Sequence, residues 1–218
     1  MSVRPGLIFD LDGTLVDSAP DIHAVVNRVL AQQDLPPLPF DQVKSFIGNG
    51  VGVLITRCLA AHGLAANAAE LMRLTGLFEV EYESAVHLTT LNPGVSVALQ
   101  TLADERFPMA ICTNKPSGPT RAVLGHFDLA RFFPVVVGGD TLATRKPDPA
   151  PLRHAMAELG ASEVIFVGDS EVDAATAQAA GVRFWLFDGG YRNAAPEDLG
   201  AERIFSDFRQ LADRLRQT

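Results

Sequence analysis

Two aspartates stand two residues apart, Asp10 and Asp12, at the end of the apolar run Leu7-Ile8-Phe9 and just before Gly13. In an extended segment alternate side chains share a face, so both carboxylates point to one side of the chain. Charges this close repel unless a proton or a cation lies between them, and Mg2+ suits such hard oxygen donors. Alone, the pair is as readily an acidic turn. Three further polar signatures bear on the choice: Thr113-Asn114-Lys115, Lys146-Pro147-Asp148-Pro149, and the run from Gly168-Asp169-Ser170 to Asp173.

These residue types suit phosphoryl transfer. Asp10 is a candidate nucleophile, since a carboxylate can attack phosphorus and form an aspartyl-phosphate. Asp12 is placed to protonate the leaving oxygen and later to take a proton from water. Side-chain oxygens of Asp10 and Asp169, with the Asp12 carbonyl, are candidate ligands for Mg2+. Thr113, Asn114 and Lys146 offer hydrogen bonds and positive charge to the equatorial phosphoryl oxygens. Asp173, one helical turn beyond Asp169, either holds metal-bound water, orients Lys146, or is a first-turn carboxylate favoured by the helix dipole. Ser170 reads as an N-cap. The chain has only Lys44, Lys115 and Lys146 against fifteen arginines, so the lysines after strands look placed, although a solvated surface charge is the plainer reading of Lys115.

The elements that must position these residues follow from periodicity. Short apolar runs end at Asp10, Thr113 and Asp169 and read as buried strands: residues 7–9, Met109 to Cys112 and Val164 to Val167. Further strands are expected at Val135 to Gly138, Arg183 to Phe187 and Arg203 to Phe205, with helices between them. This alternation predicts an α/β fold, a Rossmann-like doubly wound parallel sheet whose strand ends converge on one crevice. Between Asp17 and Thr90 the period is helical throughout. One stripe carries Ile22, Val25, Val26, Val29 and Leu30, another Leu71, Leu74, Leu77, Phe78 and Tyr82. Ser18 and Asp21 fit a capping box at the start of this block. We therefore expect a catalytic core of residues 1–16 and 91–218 and an all-helical cap of residues 17–90, inserted beside the acidic strand end as a lid.

Composition narrows the partners. A net charge of −8 without a basic cluster argues against a nucleic-acid surface, and no apolar run reaches the length of a membrane span. A small anionic phosphate ester bound by local cations is the expected partner, in a monomer or small homo-oligomer. Strand residues follow the N-terminus without room for a signal peptide, so a cytoplasmic location is expected. Cys58 and Cys112 lie in apolar surroundings at no metal-like spacing and read as packing residues. The five histidines are dispersed and read as structural or surface residues.

With these motifs in hand, the sequence resembles the haloacid dehalogenase superfamily over nearly its whole length. FDLDGTLVDS is similar to its first motif, CTN to its second, the lysine of RKPDP to its third and GDSEVD to its fourth. The resemblance implies Asp10 as nucleophile, Asp12 as general acid and base, Thr113 and Lys146 as phosphate binders and Asp169 as a metal ligand. Three longer segments, FIGNGVGVLITRCL, VVGGDTLATRKPDPAPL and DGGYR, narrow it to the bacterial phosphatases of that superfamily that act on 2-phosphoglycolate. The loop Gly48-Asn49-Gly50 would then face the site, its backbone amides binding a small carboxylate. Arg57 and Lys44 are conceivable helpers, with helix-surface charges the simpler account of both. A sugar phosphomutase of the same superfamily is the nearest rival. A dehalogenase has no use for the proton that Asp12 supplies, and a phosphonatase would need Lys44 as its cap lysine. From another class, a phosphoacceptor signalling module also uses strand-end acids, a threonine and a lysine, but without the helical insertion.

Overall fold

The computed structural model describes residues 4–217. The chain enters through β1 (Gly6–Phe9) and passes by β2 (Val16–Asp17) into four helices, α1 (Ala19–Ala31), α2 (Phe40–Lys44), α3 (Val51–Ala61) and α4 (Ala68–Tyr82), before returning through β3 (Thr90–Leu91). Strands and helices then alternate: α5 (Val95–Asp104), β4 (Met109–Cys112), α6 (Ser117–His126), β5 (Val135–Val137), α7 (Ala150–Leu159), β6 (Val164–Gly168), α8 (Glu171–Ala180), β7 (Arg183–Phe187), β8 (Arg203–Phe205) and α9 (Leu211–Leu215).

Six strands form one sheet in the order β5-β4-β1-β6-β7-β8, with every neighbouring pair parallel. The two-residue period of a strand divides their side chains between two cores. Leu7, Phe9, Ile111, Val167 and Trp185 pack on one face with α5, α6 and α9. Ile8, Cys112, Phe166 and Leu186 pack on the other with α7 and α8. Both faces are covered, which is why these strands are apolar without alternation. Phe9 pairs with Ile111 on one side and Val167 on the other, so Asp10, Thr113 and Asp169 follow at the same edge of three adjacent strands.

The helical segment has its own core, built only from residues between Ile22 and Ala85. The stripe Ile22, Val25, Val26, Val29 and Leu30 is buried as its helical spacing predicts. In α4, Leu74, Phe78 and Tyr82 are buried while Leu71 and Leu77 are only partly so. The two chain crossings into this segment are hydrogen-bonded to each other, because β2 and β3 form a short antiparallel ribbon that helical periodicity did not announce. Among the described residues no helix is long and apolar enough to cross a membrane.

The capping box expected at Ser18 and Asp21 does not form. The Ser18 hydroxyl instead donates to Asp12 Oδ1 at 2.6 Å, and Asp21 Oδ2 accepts from the Leu88 amide and, at 2.6 Å, from the Thr89 hydroxyl. Tertiary partners have displaced the local motif. The segment after β8 is divided between a tight turn, Phe208–Gln210, and α9.

Candidate active site

The turn after β1 is held from three sides. Gly13 has φ +86°, a conformation that L side chains rarely adopt, and a Cβ there would collide with the Asp169 carboxylate. Asn92 donates through Nδ2 to the carbonyls of Gly13 and Thr14, at 3.2 and 2.7 Å, and the Thr14 hydroxyl donates to Asp169 Oδ1 at 2.7 Å. Asp169 Oδ2 accepts from the Tyr191 amide at 2.7 Å. Gly190 lies so close to Asp169 that any side chain would overlap it. The Asp169 carboxylate is thus fixed by groups from β1's turn and from the segment after β7.

Lys146 reaches in from the loop between β5 and α7 and is buried. Its Nζ lies 2.6 Å from Asp173 Oδ1 and 3.0 Å from Asp10 Oδ1. The second contact is an ion pair without the direction of a good hydrogen bond, so Asp10 Oδ1 is buried with no well-aligned donor. Asp173 is more fully engaged: its Oδ2 accepts from the Ser170 hydroxyl at 2.7 Å and from the amides of Asp169 and Ser170. Ser170 and Asp173 form the capping box of α8, so Asp173 serves both as first-turn carboxylate and as the orienter of Lys146.

Three buried carboxylates face one ammonium. Burial raises the Asp10 carboxyl to about 6; Lys146 opposes that rise and Asp173 adds to it. Burial, with the charges of Asp173 and Asp10, holds the Asp169 carboxyl well above the ordinary range. Burial disfavours the Lys146 ammonium, but Asp10 and Asp173 outweigh it and hold the proton more firmly than on an ordinary lysine. Asp10, Asp169 and Asp173 each offer a carboxylate oxygen, all within 4.8 Å of one another. An acid-rich, oxygen-only donor set that one lysine leaves under-neutralised fits a hard divalent cation. Asp173, whose two oxygens already take Lys146 and the capping donors, is the least free of the three to bind an ion directly.

The second strand end carries Thr113, Asn114 and Lys115, all buried. Asn114 donates through Nδ2 to the carbonyls of Gly48 and Lys146, both at 2.9 Å, while its Oδ1 is buried without a partner. Gly139 permits this approach, since a Cβ there would overlap the Asn114 carbonyl. Lys115 is not the solvated surface charge that the sequence suggested. Its side chain is 1% exposed, its Nζ lies 3.0 Å from Asp12 Oδ1, and it donates to the hydroxyl of Tyr82 at the end of α4.

Asp10 and Asp12 lie at the base of a cleft between the sheet edge and the helical segment, with an empty volume of about 460 Å³ including its mouth. Gly48 and Gly50 line this cleft. Asn49 lines a neighbouring crevice with Arg57, whose Nη1 donates to the Phe46 carbonyl at 3.0 Å. Lys44 lies over the Tyr191 ring, 5.3 Å from its centroid. Neither Arg57 nor Lys44 borders the cleft. Tyr191 joins the two parts of the chain: its hydroxyl accepts from the amides of Ser18 and Ala19, at 2.7 and 2.9 Å, and donates to Asp17 Oδ1 at 2.8 Å. Sequence reasoning did not single out Tyr82, Tyr191 or the Ser18 contact with Asp12. The scarcity of lysine and the segment DGGYR were the available signals for Lys115 and Tyr191.

A parallel sheet whose central strand ends in an aspartate pair, with a lysine and a second acidic strand end closing round it, defines a class. The sequence profile of the haloacid dehalogenase-like hydrolases matches residues 7–187, and the chain belongs to that family of enzymes. Within it, the chain is similar to proteins named phosphoglycolate phosphatase. One from Cereibacter sphaeroides is 50% identical over 214 residues, covering 98% of both chains, and one from Rhodospirillum rubrum is 43% identical over 216 residues, covering 96% of this chain and 90% of the relative. The crystal structure of a predicted phosphoglycolate phosphatase from Haemophilus somnus superposes with a TM-score of 0.90 at 29% identity, over 98% of this chain and 99% of that one.

Proposed function

We propose that this hydrolase is a Mg2+-dependent phosphomonoesterase that works through an aspartyl-phosphate on Asp10, with 2-phosphoglycolate as its substrate and glycolate and phosphate as products. The observation that carries the reading is Asp10 itself: a buried carboxylate at the base of the cleft, with an oxygen that no well-directed donor occupies and an ammonium 3.0 Å away. The names of relatives similar over nearly the whole chain support the substrate.

In this reading Asp10 attacks phosphorus in line with the ester oxygen. Asp12, two residues on and reached by the Ser18 hydroxyl and Lys115, gives a proton to that departing oxygen. It then takes one from the water that hydrolyses the acyl phosphate. Thr113, Asn114 and Lys146 bind the phosphoryl oxygens as charge spreads over them. Asp10 and Asp169, with the Asp12 carbonyl, would hold Mg2+, whose positive charge would screen the phosphoryl group from the attacking carboxylate. Asp173 holds Lys146 in place. Residues 17–90 act as the cap and residues 1–16 and 91–218 as the catalytic core, with Gly48 and Gly50 on the cap side of the cleft.

The apolar wall of the cleft, including Ile22, Ile47, Val51, Leu54 and Phe78, supports a short ester over a sugar phosphate, whose hydroxyls would lose their water without regaining partners. Purified protein assayed with Mg2+ against a panel of phosphate esters tests this reading. Release of free phosphate from 2-phosphoglycolate without any acceptor is expected. Turnover that requires a sugar acceptor would point to a mutase, and a long-lived phosphoprotein without turnover to a signalling module.

A further inference from the structure

A substrate with two anionic groups needs a cation for the second, and the cleft holds one suited to it. Among the described residues that line the cleft, Lys115 is the only basic one. Of the other cations nearby, Arg145 is exposed and packs against Gly50 without lining the cleft, and three more are engaged elsewhere. Lys146 sits between Asp173 and Asp10, Arg57 is tied to the Phe46 carbonyl, and Lys44 stacks on Tyr191. An ammonium has three donors, and Lys115 uses one on Asp12 Oδ1 and one on the Tyr82 hydroxyl. One remains for a ligand in the cleft.

Position agrees with charge. Lys115 Nζ lies 3.0 Å from the carboxylate of Asp12, the residue read above as the proton donor to the ester oxygen. A group beside that acid is beside the leaving group, so a carboxylate one carbon from the ester oxygen falls within reach of the same ammonium. The phenol of Tyr82, buried at the end of α4, fixes the ammonium from the side of the helical segment. The remaining wall, with Ile22, Leu54 and Phe78, has no second cation and does not suit a charged or polyhydroxylated tail.

We infer that Lys115, held by Tyr82, is the residue that selects a carboxylate on the leaving group of the substrate. This rests on the phosphomonoesterase reading above and names its specificity determinant. A cation in a site closed off from water discriminates strongly against an uncharged analogue, because it then stays buried without its ligand.

The test compares kcat/KM for 2-phosphoglycolate and for ethyl phosphate, the ester in which a methyl group replaces the carboxylate, in the unaltered enzyme and in Lys115→Met. The expected result is that the ratio between the two esters falls by roughly tenfold to a hundredfold in the variant, the range of one hydrogen bond to a charged group, whatever the absolute rates. An unchanged ratio, or an equal loss for both esters, overturns the inference. If Lys115→Met gives no cooperative melting transition, Lys115→Gln, which retains a donor for Asp12 and Tyr82, carries the same comparison. An unaltered enzyme that hydrolyses neither ester contradicts the phosphomonoesterase reading itself, whereas a preference that survives loss of the lysine contradicts only the assignment of Lys115.

Discussion

Lys146 lies closer to Asp173, at 2.6 Å, than to Asp10, at 3.0 Å, although Asp10 is the residue read as reacting. The lysine is therefore anchored by a carboxylate that is itself locked into the start of α8, and it reaches towards Asp10 from that anchor. Such an arrangement would keep the ammonium in place during the proposed bond formation at Asp10.

Asp173→Ala is accordingly expected to damage both stability and rate. It leaves Lys146 with one counter-ion and removes the capping box of α8, a combination that costs about 3 kcal/mol or more. Urea unfolding measures the first effect and kcat the second. A stability loss below about 1 kcal/mol would show that the buried pair contributes little beyond its own desolvation.

Tyr191→Phe removes one hydroxyl that serves two amides and one carboxylate at the crossing into the helical segment. A loss of about 1–3 kcal/mol is expected, because the Ser18 amide is left buried without an acceptor and the Ala19 amide keeps only its longer bond to Asp17 Oδ1, at 3.3 Å. Hydrogen exchange at those two amides is expected to accelerate. Unchanged exchange there would contradict the role of Tyr191 as the tie between the two segments.

Gly190→Ala is expected to abolish most activity. The new methyl group would overlap the Asp169 carboxylate, whose hold on Thr14 and on the Tyr191 amide depends on that space. Full activity in a variant with an unaltered melting temperature would show that Asp169 can move without consequence.

Metal binding is expected to depend on pH through Asp10. Its carboxyl is raised from 3.8 to about 6, so the metal-free folded protein holds this proton more tightly than the unfolded chain does. That contribution favours folding at pH values below about 3.8 and is lost as pH rises through about 6. Mg2+ competes with the same proton, so its stabilisation grows over the same interval. Thermal melts with and without Mg2+ are expected to differ more at about pH 7.5 than at about pH 5. Equal shifts at both values, or none, would contradict coordination by Asp10.

Much of this was legible because parallel strands place their ends on one edge. Asp10, Thr113 and Asp169 each follow a short apolar run, and the chain's alternation of strands and helices is enough to bring them together. Lys146 was legible because lysine is scarce and this one follows the fifth strand. What escaped the sequence lies where side chains cross between segments. Ser18 and Asp21 match the spacing of a capping box, but Asp12 and Thr89, remote or on another element, are the partners they take. Lys115 looked exposed because Tyr82, the residue that covers it, lies 33 positions earlier on a helix whose orientation no local pattern reveals. Tyr191 escaped for the same reason, since its partners Asp17 and Ser18 lie at the other end of the chain.

The central claim is that phosphorus becomes bonded to Asp10. The most direct measurement is mass analysis of peptides from enzyme stopped with acid during turnover of 2-phosphoglycolate with Mg2+. The account predicts a phosphoryl group on Asp10 in the native enzyme and neither that adduct nor turnover in Asp10→Asn. A phosphoryl group on another residue, or an Asp10→Asn enzyme that still releases phosphate at the native rate, would contradict it.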